Sequence, residues 1–458
     1  MQAELNAIHS SCDDLIMLSF LKNKYSLLQK REKVKNIVSN SGWLIFDKII
    51  RMGVGLLVGV WVARYLGPEQ FGELNYAIAF VSMFSVLATF GLDSIAVREL
   101  VDQSDKYQAI LGSAIWIKFI GGIFSAVLTV ITVLFFKSGE TQTILVVSII
   151  AFGTIFQVAD VFDYFFQANV ISKYTVWAKN SASVVGNSIR VVLILGNFEL
   201  VYFALVISAE VLLGSVLSGF FFLRNRRSFR IIFDKYLAVK LLRDGMPLAF
   251  ASIAITLYMR IDQIMIVEIM DQSSAGYYSA AVRITEIGYF LALVITSSLF
   301  PSIIQAKKRS EAEYFAILKG LYSLLFWVSF MIAISTSILS SVLIDILYGA
   351  EYKFSSQVLS IYAWSGIFVY LGIGTSQFLL AENLTKISLL RTIVGLIVNV
   401  ALNFYLIPKY GVIGASVASL FSYASTIATL FFTGSTKSQG KLLISSLNPV
   451  SIKQLIGK

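Results

Sequence analysis

Residues 200–223 read LVYFALVISAEVLLGSVLSGFFFL, and residues 224–243, which follow directly, read RNRRSFRIIFDKYLAVKLLR. The first stretch holds one ionisable residue, Glu210, and as a helix it is long enough to cross the roughly 30 Å apolar core of a bilayer. The second carries Arg224, Arg226, Arg227, Arg230, Lys235, Lys240 and Arg243. An apolar span running into a basic loop is the pattern of a membrane helix whose next loop stays in the cytoplasm.

Outward from this junction the apolar pattern repeats. Five more spans precede it, at 43–66, 74–97, 110–136, 143–166 and 174–196, and six follow, at 246–269, 277–303, 316–341, 355–381, 387–407 and 411–433. Short connections with turn chemistry separate them, such as Gly67-Pro68, Asp271-Gln272-Ser273-Ser274 and Pro408-Lys409-Tyr410-Gly411. The expected fold is an all-α polytopic membrane protein of about 12 transmembrane helices in two six-helix lobes. The expected division is an N-terminal cytoplasmic segment 1–41, a lobe 42–223, a basic linker 224–245, a second lobe 246–433 and a cytoplasmic tail 434–458.

Composition agrees. The 458 residues are 57% hydrophobic and only 14% charged, against roughly 25% charged in soluble proteins. A single Cys12 and a single His9 exclude a disulfide framework and a Cys/His metal cluster. The net charge of +10 would suit nucleic acid if it formed one patch, but it sorts by topology instead. With alternating spans, 24 lysines and arginines fall on the side of the basic loop and both termini. Only Lys137, Lys353 and Lys409 fall on the other. The positive-inside rule then makes the basic side cytoplasmic, and no nucleic-acid partner is expected. Residues 1–41 lack an apolar core ending in small residues, so the first span is expected to act as an uncleaved insertion signal. Asp13 to Lys35 has the alternation of apolar residues and bases of an interfacial helix.

The chain also matches itself. A shift of 213 places Phe165, Ala168, Ser172 and Lys173 on Phe378, Ala381, Thr385 and Lys386. A shift of 204 places Gly72, Leu74, Tyr76 and Ala77 on Gly276, Tyr278, Ala280 and Ala281. Each half holds an even number of spans, so the halves have the same orientation and the pseudo-two-fold axis runs along the membrane normal. Repeated bundles of this kind bind substrate between the halves and alternate access by rocking.

Three stretches carry a family resemblance: Ser41-Gly42-Trp43 with Ala63-Arg64-Tyr65-Leu66-Gly67-Pro68-Glu69-Gln70-Phe71-Gly72; Phe90-Gly91-Leu92-Asp93 with Arg98-Glu99; and Leu406-Ile407-Pro408-Lys409-Tyr410-Gly411-Val412-Ile413-Gly414-Ala415. Over about residues 38–433 the chain resembles the polysaccharide transporter branch of the multidrug/oligosaccharidyl-lipid/polysaccharide exporter superfamily, which includes the Wzx-type O-antigen and capsule flippases. The resemblance implies a flippase, not an enzyme. Its substrate would be an undecaprenyl-pyrophosphate-linked oligosaccharide repeat unit, crossing the bacterial inner membrane from the cytoplasmic leaflet. Polysaccharide polymerase and chain-length proteins are the partners it suggests, beside membrane lipids.

A bare charge at the bilayer centre costs from about 2.5 to more than 10 kcal/mol, so intramembrane charges mark cavities or pairs. Lys48, Arg51, Lys118, Arg190, Arg260 and Arg283 are the candidate pyrophosphate ligands, because guanidinium forks fit geminal phosphate oxygens and a cationic cavity lets the head group leave water. Pairing is the competing use: Asp47 with Arg51 at i,i+4, and Arg283 with Glu286 at i,i+3. Lys179 and Arg391, near span ends, are expected to snorkel to lipid phosphates. Asp160, Glu210, Asp262 and Glu286 are candidates for carrying a proton or cation, or for countering Lys118 and Arg190. No cofactor or metal is expected beyond such coupling. Tyr258, Tyr362, Trp364 and Tyr370 are candidates for stacking on sugar rings.

Other classes fit less well. A multidrug exporter of the same superfamily would want a carboxylate-dominated cavity for cationic drugs, whereas the deep charges here are mainly basic. A membrane glycosyltransferase or polymerase would need a sizeable catalytic loop, and no connection has room. No G-x-x-x-x-G-K-[ST] occurs, since Gly434 to Gly440-Lys441 is one residue too long and Leu442 follows.

Overall fold

A computed structural model describes residues 53–226 and 228–452. Asp47, Lys48, Arg51 and the 13–35 segment lie outside the described residues.

Among the described residues every regular element is helical. The N-terminal half comprises α1 (53–89), α2 (Leu92–Asp102), α3 (Tyr107–Phe136), α4 (Thr141–Gly153), α5 (Asp160–Ala168), α6 (Lys173–Leu195) and α7 (Leu200–Asn225). The C-terminal half comprises α8 (Lys235–Ile269), α9 (Gln272–Arg309), α10 (Glu311–Ile338), α11 (Ser340–Leu347), α12 (Ser355–Tyr362), α13 (Ser365–Ala381), α14 (Thr385–Phe432) and α15 (Lys437–Ser446).

Eight helical stretches are long and apolar enough to cross a membrane, and α12 with α13, bent by 40°, makes a ninth. This is a multi-pass membrane protein. Two of those stretches, Gly53–Asp102 and Thr385–Phe432, have 50 and 48 residues. Straight, each would measure about 70 Å, more than twice the apolar thickness. Neither is straight, because the backbone turns left-handed at Gly67 (φ 69°) and Gly411 (φ 59°), a region that costs glycine little. α6 has 23 residues, and Lys179, Asn180, Asn187 and Arg190 make it too polar to qualify on apolarity.

Both self-matches are visible in the backbone. α5 ends at Ala168 and α13 at Ala381, and the chain turns left-handed at Val170 (φ 57°) and again, 213 positions later, at Asn383 (φ 56°). The N–H of Ile171 donates to the carbonyl of Phe166 at 2.9 Å, and that of Leu384 to Leu379 at 2.8 Å. These are equivalent helix-ending bonds of the Schellman kind. At the shift of 204 the match is a contact: Gly72 packs on the carbonyl of Gln272, and Gly276 packs on the carbonyl of Pro68. Pro68 and Gln272 are themselves 204 apart, so the two helices exchange equivalent contacts, as a two-fold axis requires.

Three apolar cores show where the halves join. One, around Leu92, Ile110, Phe166 and Leu241, belongs to the N-terminal half and the first turns of α8. A second, around Tyr289, Leu321, Phe378 and Leu430, belongs to the C-terminal half. Both lie toward the basic connections. The third runs across both halves at the opposite end, joining Phe71, Val147 and Phe203 to Val267, Tyr348 and Val412. At the basic end the halves meet through the first turns of α8, and the core that joins the bodies of both halves lies at the opposite end.

The resembling stretches occupy these joints. Arg64 donates to the carbonyls of Leu347 (2.8 Å) and Ile346 (2.6 Å), capping α11 across the seam. Tyr352 donates to the carbonyl of Ala63 at 2.8 Å, and Tyr65 to that of Phe198 at 3.0 Å. At the basic end Gly91 packs on Gly245 and Ala249, Arg98 pairs with Asp244 at 2.7 Å, and Lys240 pairs with Glu99 at 2.7 Å. Arg64→Ala leaves the last carbonyls of α11 uncapped. It should weaken closure of that end by about 1–3 kcal/mol, seen as a lower unfolding temperature in detergent.

Candidate functional site

The seam between the halves gathers three of the candidate arginines. Arg190 comes from α6, Arg260 from α8 and Arg283 from α9. The guanidinium of Arg283 lies against Gly59 of α1, so close that a methyl group there would meet Nη2 at 2.8 Å. It lies within electrostatic reach of both Arg190 and Arg260, and also of Glu286 and Tyr348. The N-terminal half supplies one arginine and the C-terminal half two.

Their partners differ. Arg190 pairs with Glu210 at 2.7 Å and donates to Asn187 at 2.9 Å. Arg260 faces Glu286 at 3.8 Å, a loose pair whose members stay about a third exposed. Among the described residues Arg283 has no carboxylate within ion-pair distance. The i,i+3 pair of Arg283 with Glu286 does not form, because Arg283 is drawn across the seam to Gly59 while Glu286 turns to Arg260.

Lys118 sits elsewhere. It is 1% exposed, pairs with Asp160 at 3.5 Å and donates to Tyr164 at 3.2 Å, while Tyr164 donates to Asp93. Lys179 joins the same group, at 3.1 Å from Asp160 and 2.6 Å from Asp163. Two ammonium groups and two carboxylates therefore neutralise one another between α3, α5 and α6, and Lys118 has no open side for a ligand. Lys179 does not reach lipid phosphates, since it is held inward by both aspartates. A cavity of about 470 Å³, lined by Asp160, Lys179 and Glu210 among others, lies between this group and the Arg190 pair.

The group sets up a ranking. Lys118→Met leaves Asp160 still paired with Lys179, whereas Lys179→Met leaves Asp163 without a cation. Stranding a buried charge costs about 3–5 kcal/mol, so Lys179→Met should lower the unfolding temperature further than Lys118→Met. Equal shifts would show that the two lysines are not one network.

Arg391 also departs from its sequence reading. It is buried and donates to Thr375 (2.7 Å), Ser376 (2.8 Å) and the carbonyl of Gly372 (3.3 Å) on α13, because its side chain points into the helix bundle and not toward the lipid. The tyrosines offered for sugar stacking are packed too. Tyr362 lies edge-on to Tyr278, Tyr258 edge-on to Tyr423, Trp364 against Phe330, and Tyr370 donates to the carbonyl of Gly288.

Asp262 is wholly enclosed. Tyr278 and Ser419 each donate to its Oδ2 at 2.7 Å, and Asn403 donates to its Oδ1. Among the described residues no cation pairs with it.

A cross-seam polar network at the end away from the bases was not read from the sequence. Lys137 pairs with Glu268 at 3.3 Å, and Tyr76 donates to Glu268 at 2.8 Å. Thr143 donates to Glu73 at 2.8 Å and Gln272 to Thr143 at 3.2 Å. These residues sit at helix ends, where charge is unremarkable, and nothing in the local sequence pairs them.

Residues 37–307 match the family described as "Polysaccharide biosynthesis protein". The chain belongs to that family. Similar to this family member are the capsular polysaccharide biosynthesis protein CapF of Staphylococcus aureus, 23% identical over 86% of this chain and 98% of that one, and the probable low-salt glycan biosynthesis flippase Agl15 of Haloferax volcanii, 23% identical over 83% of this chain and 80% of that one. The fold is that of the lipid II flippase MurJ in an inward closed conformation, with a TM-score of 0.70 at 17% identity over 90% of this chain and 91% of that one. As a member of the polysaccharide biosynthesis protein family with this fold, the chain places its arginines where the two halves meet.

Proposed function

We propose that this protein is a flippase of the bacterial inner membrane, and not an enzyme, moving lipid-linked oligosaccharide repeat units from the cytoplasmic to the outer leaflet. The carrier is undecaprenyl pyrophosphate, and both termini lie in the cytoplasm. The observation that carries the reading is the convergence of Arg190, Arg260 and Arg283 from both halves, with Arg283 lacking a carboxylate among the described residues. A pyrophosphate offers paired oxygens that guanidinium forks bind, and it supplies the negative charge that Arg283 does not find among the described residues. The polyprenyl tail stays in lipid while the head group crosses between the halves.

The path follows from the cores. In this conformation the halves are sealed by a shared apolar core and the Lys137–Glu268 network at one end, while at the basic end their bodies keep separate cores, joined through the first turns of α8. The head group therefore enters from the basic, cytoplasmic side. Gly67 and Gly411 act as turns between passes, which with α6 makes twelve. Rocking about the seam then parts the Gly72–Gly276 crossing and exposes the arginines to the other side.

The test is a deletion strain. Undecaprenyl-linked repeat units should accumulate while surface polysaccharide is lost, and a plasmid copy should reverse both. Unchanged levels of the lipid-linked unit would overturn the reading.

A further inference from the structure

We propose that the cavity between α6, α7 and the 3₁₀ turns Thr154–Ala159 is the subsite for the sugar nearest the pyrophosphate, and that Glu210 is shared between that sugar and Arg190. This rests on the flippase reading and deepens it by giving the glycan a place inside the N-terminal half.

Small side chains make the room. Lys179, Ala182, Gly186 and Arg190 follow one another at spacings of three, four and four, which puts them on one face of α6 with the two charged residues at the ends and the two small ones between. Gly214 and Ser215 line the cavity from α7. A methyl group on Gly214 would meet Ala182 Cβ at an ordinary 3.6 Å, whereas one on Gly186 would meet Oε2 of Glu210 at 2.7 Å. The third wall is irregular. Between Thr154 and Ala159 the apolar stretch Thr141–Ala168 leaves the α-helix, and Ser215 of α7 donates to the carbonyl of Phe156 within that segment. Non-helical backbone at membrane depth occurs where it is buried in protein or lines a polar cavity, and here Gln157 of this segment and Asp160 at its end line one.

The charge balance selects the ligand. Among the described residues the charged groups lining the cavity are Asp160, Lys179 and Glu210, and each is already paired: Asp160 with Lys118 and Lys179, Glu210 with Arg190. A further ion finds no unmatched charge there, and an apolar molecule would desolvate three charged groups. A neutral sugar ring meets both conditions. Each of its hydroxyls donates and accepts, a carboxylate has about four acceptor positions, and the amide of Gln157 adds donors and an acceptor. Arg190 takes Oε2 of Glu210, so a hydroxyl can join that carboxylate without breaking the pair. The volume of about 470 Å³ falls within the roughly 300–1,000 Å³ of small-ligand pockets. Connectivity then places the ring. The first sugar of a pyrophosphate-linked glycan is bonded directly to a phosphate oxygen, and Glu210 touches both the seam, through Arg190, and the cavity. A head group held at Arg190 therefore brings its first sugar to Glu210.

The experiment uses the purified full-length protein in detergent and two lipids: undecaprenyl pyrophosphate, and the undecaprenyl-pyrophosphate-linked glycan extracted from the host's membranes. Binding of each is read from the rise it gives in unfolding temperature. The cavity is read by a thiol. In a Cys12→Ser background, Ser215→Cys should react with a small methanethiosulfonate reagent about tenfold more slowly when the glycan-bearing lipid is present at about ten times its dissociation constant. Undecaprenyl pyrophosphate should not slow it, and neither lipid should slow Gly434→Cys, placed where a Cβ meets nothing within 4 Å. Glu210→Gln should weaken the glycan-bearing lipid about tenfold, as loss of a hydrogen bond to a charged group predicts, and leave undecaprenyl pyrophosphate undiminished, since it frees Arg190. A glycan-bearing lipid that raises the unfolding temperature yet leaves Ser215→Cys reacting at its free rate overturns the proposal and leaves the flippase reading in place, whereas one that does neither overturns both. Equal protection of Ser215→Cys by the two lipids overturns the proposal, because the head group alone then fills the cavity. Equal losses of affinity for both lipids in Glu210→Gln overturn it as well, even if Ser215→Cys fails to fold.

Discussion

Gly276→Leu is expected to stop export, lowering surface polysaccharide at least tenfold while the protein still reaches the membrane. Gly276 packs on the carbonyl of Pro68 at the crossing that closes the end away from the bases, and its repeat mate Gly72 packs on the carbonyl of Gln272. A side chain at either position overlaps main chain, which cannot swing aside as a side-chain tip does. Overpacking of this kind costs about 1–3 kcal/mol even in yielding cores. Since about 1.4 kcal/mol shifts an equilibrium tenfold, the closed arrangement loses to one with that end parted. Thr143 reports the change. It is 1% exposed and hydrogen-bonded to Glu73 and Gln272 in the seam. In a Cys12→Ser background, Thr143→Cys should resist a membrane-impermeant maleimide alone and react readily when Gly276→Leu is added. Gly72→Leu should do the same, because the crossing is symmetric. Gly434→Ala, where a methyl group meets nothing within 4 Å, should export normally. Wild-type polysaccharide from Gly276→Leu would show that this end need not close.

Arg283→Ala carries the second large effect. Arg283 reaches Gly59 across the seam and has no carboxylate partner among the described residues, so removing it strands no counter-charge there and should leave the unfolding temperature nearly unchanged. Charge-assisted hydrogen bonds contribute about 1.5–3 kcal/mol each, so loss of a phosphate-binding fork predicts a drop of roughly ten- to a hundredfold in the rate of export. Arg283→Lys keeps the charge and loses the fork, and should fall between. Arg190→Ala is the informative contrast, because it frees Glu210 beside the seam and so adds a repelling carboxylate to the lost base. It should lose both export and stability. Normal polymer from Arg283→Ala would remove the cationic seam from the mechanism, whatever the fold.

The sequence by itself determined the helices, the repeat and the family. Apolar runs of bilayer length depend on neighbouring residues only, and a duplication leaves its register in the chain, which is why the shifts of 204 and 213 reappear as a helix crossing and a pair of identical helix ends. It also marked which intramembrane residues carry charge, since an ionisable group in an apolar run is visible in any reading. Which charges answer one another was not legible. Spacing of three or four residues suggested Arg283 with Glu286, yet Glu286 meets Arg260 from another helix, and Lys118 meets Asp160 some forty positions away. Local spacing measures neighbours along one helix, whereas ion pairs in a bundle form between helices, and their rotation and depth are set by packing. For the same reason Asp262 looked like any other buried acid until α9 and both arms of α14 closed neutral oxygens around it, and only the tertiary structure decided that Arg283 has no carboxylate in ion-pair reach among the described residues while Lys118 pairs with Asp160.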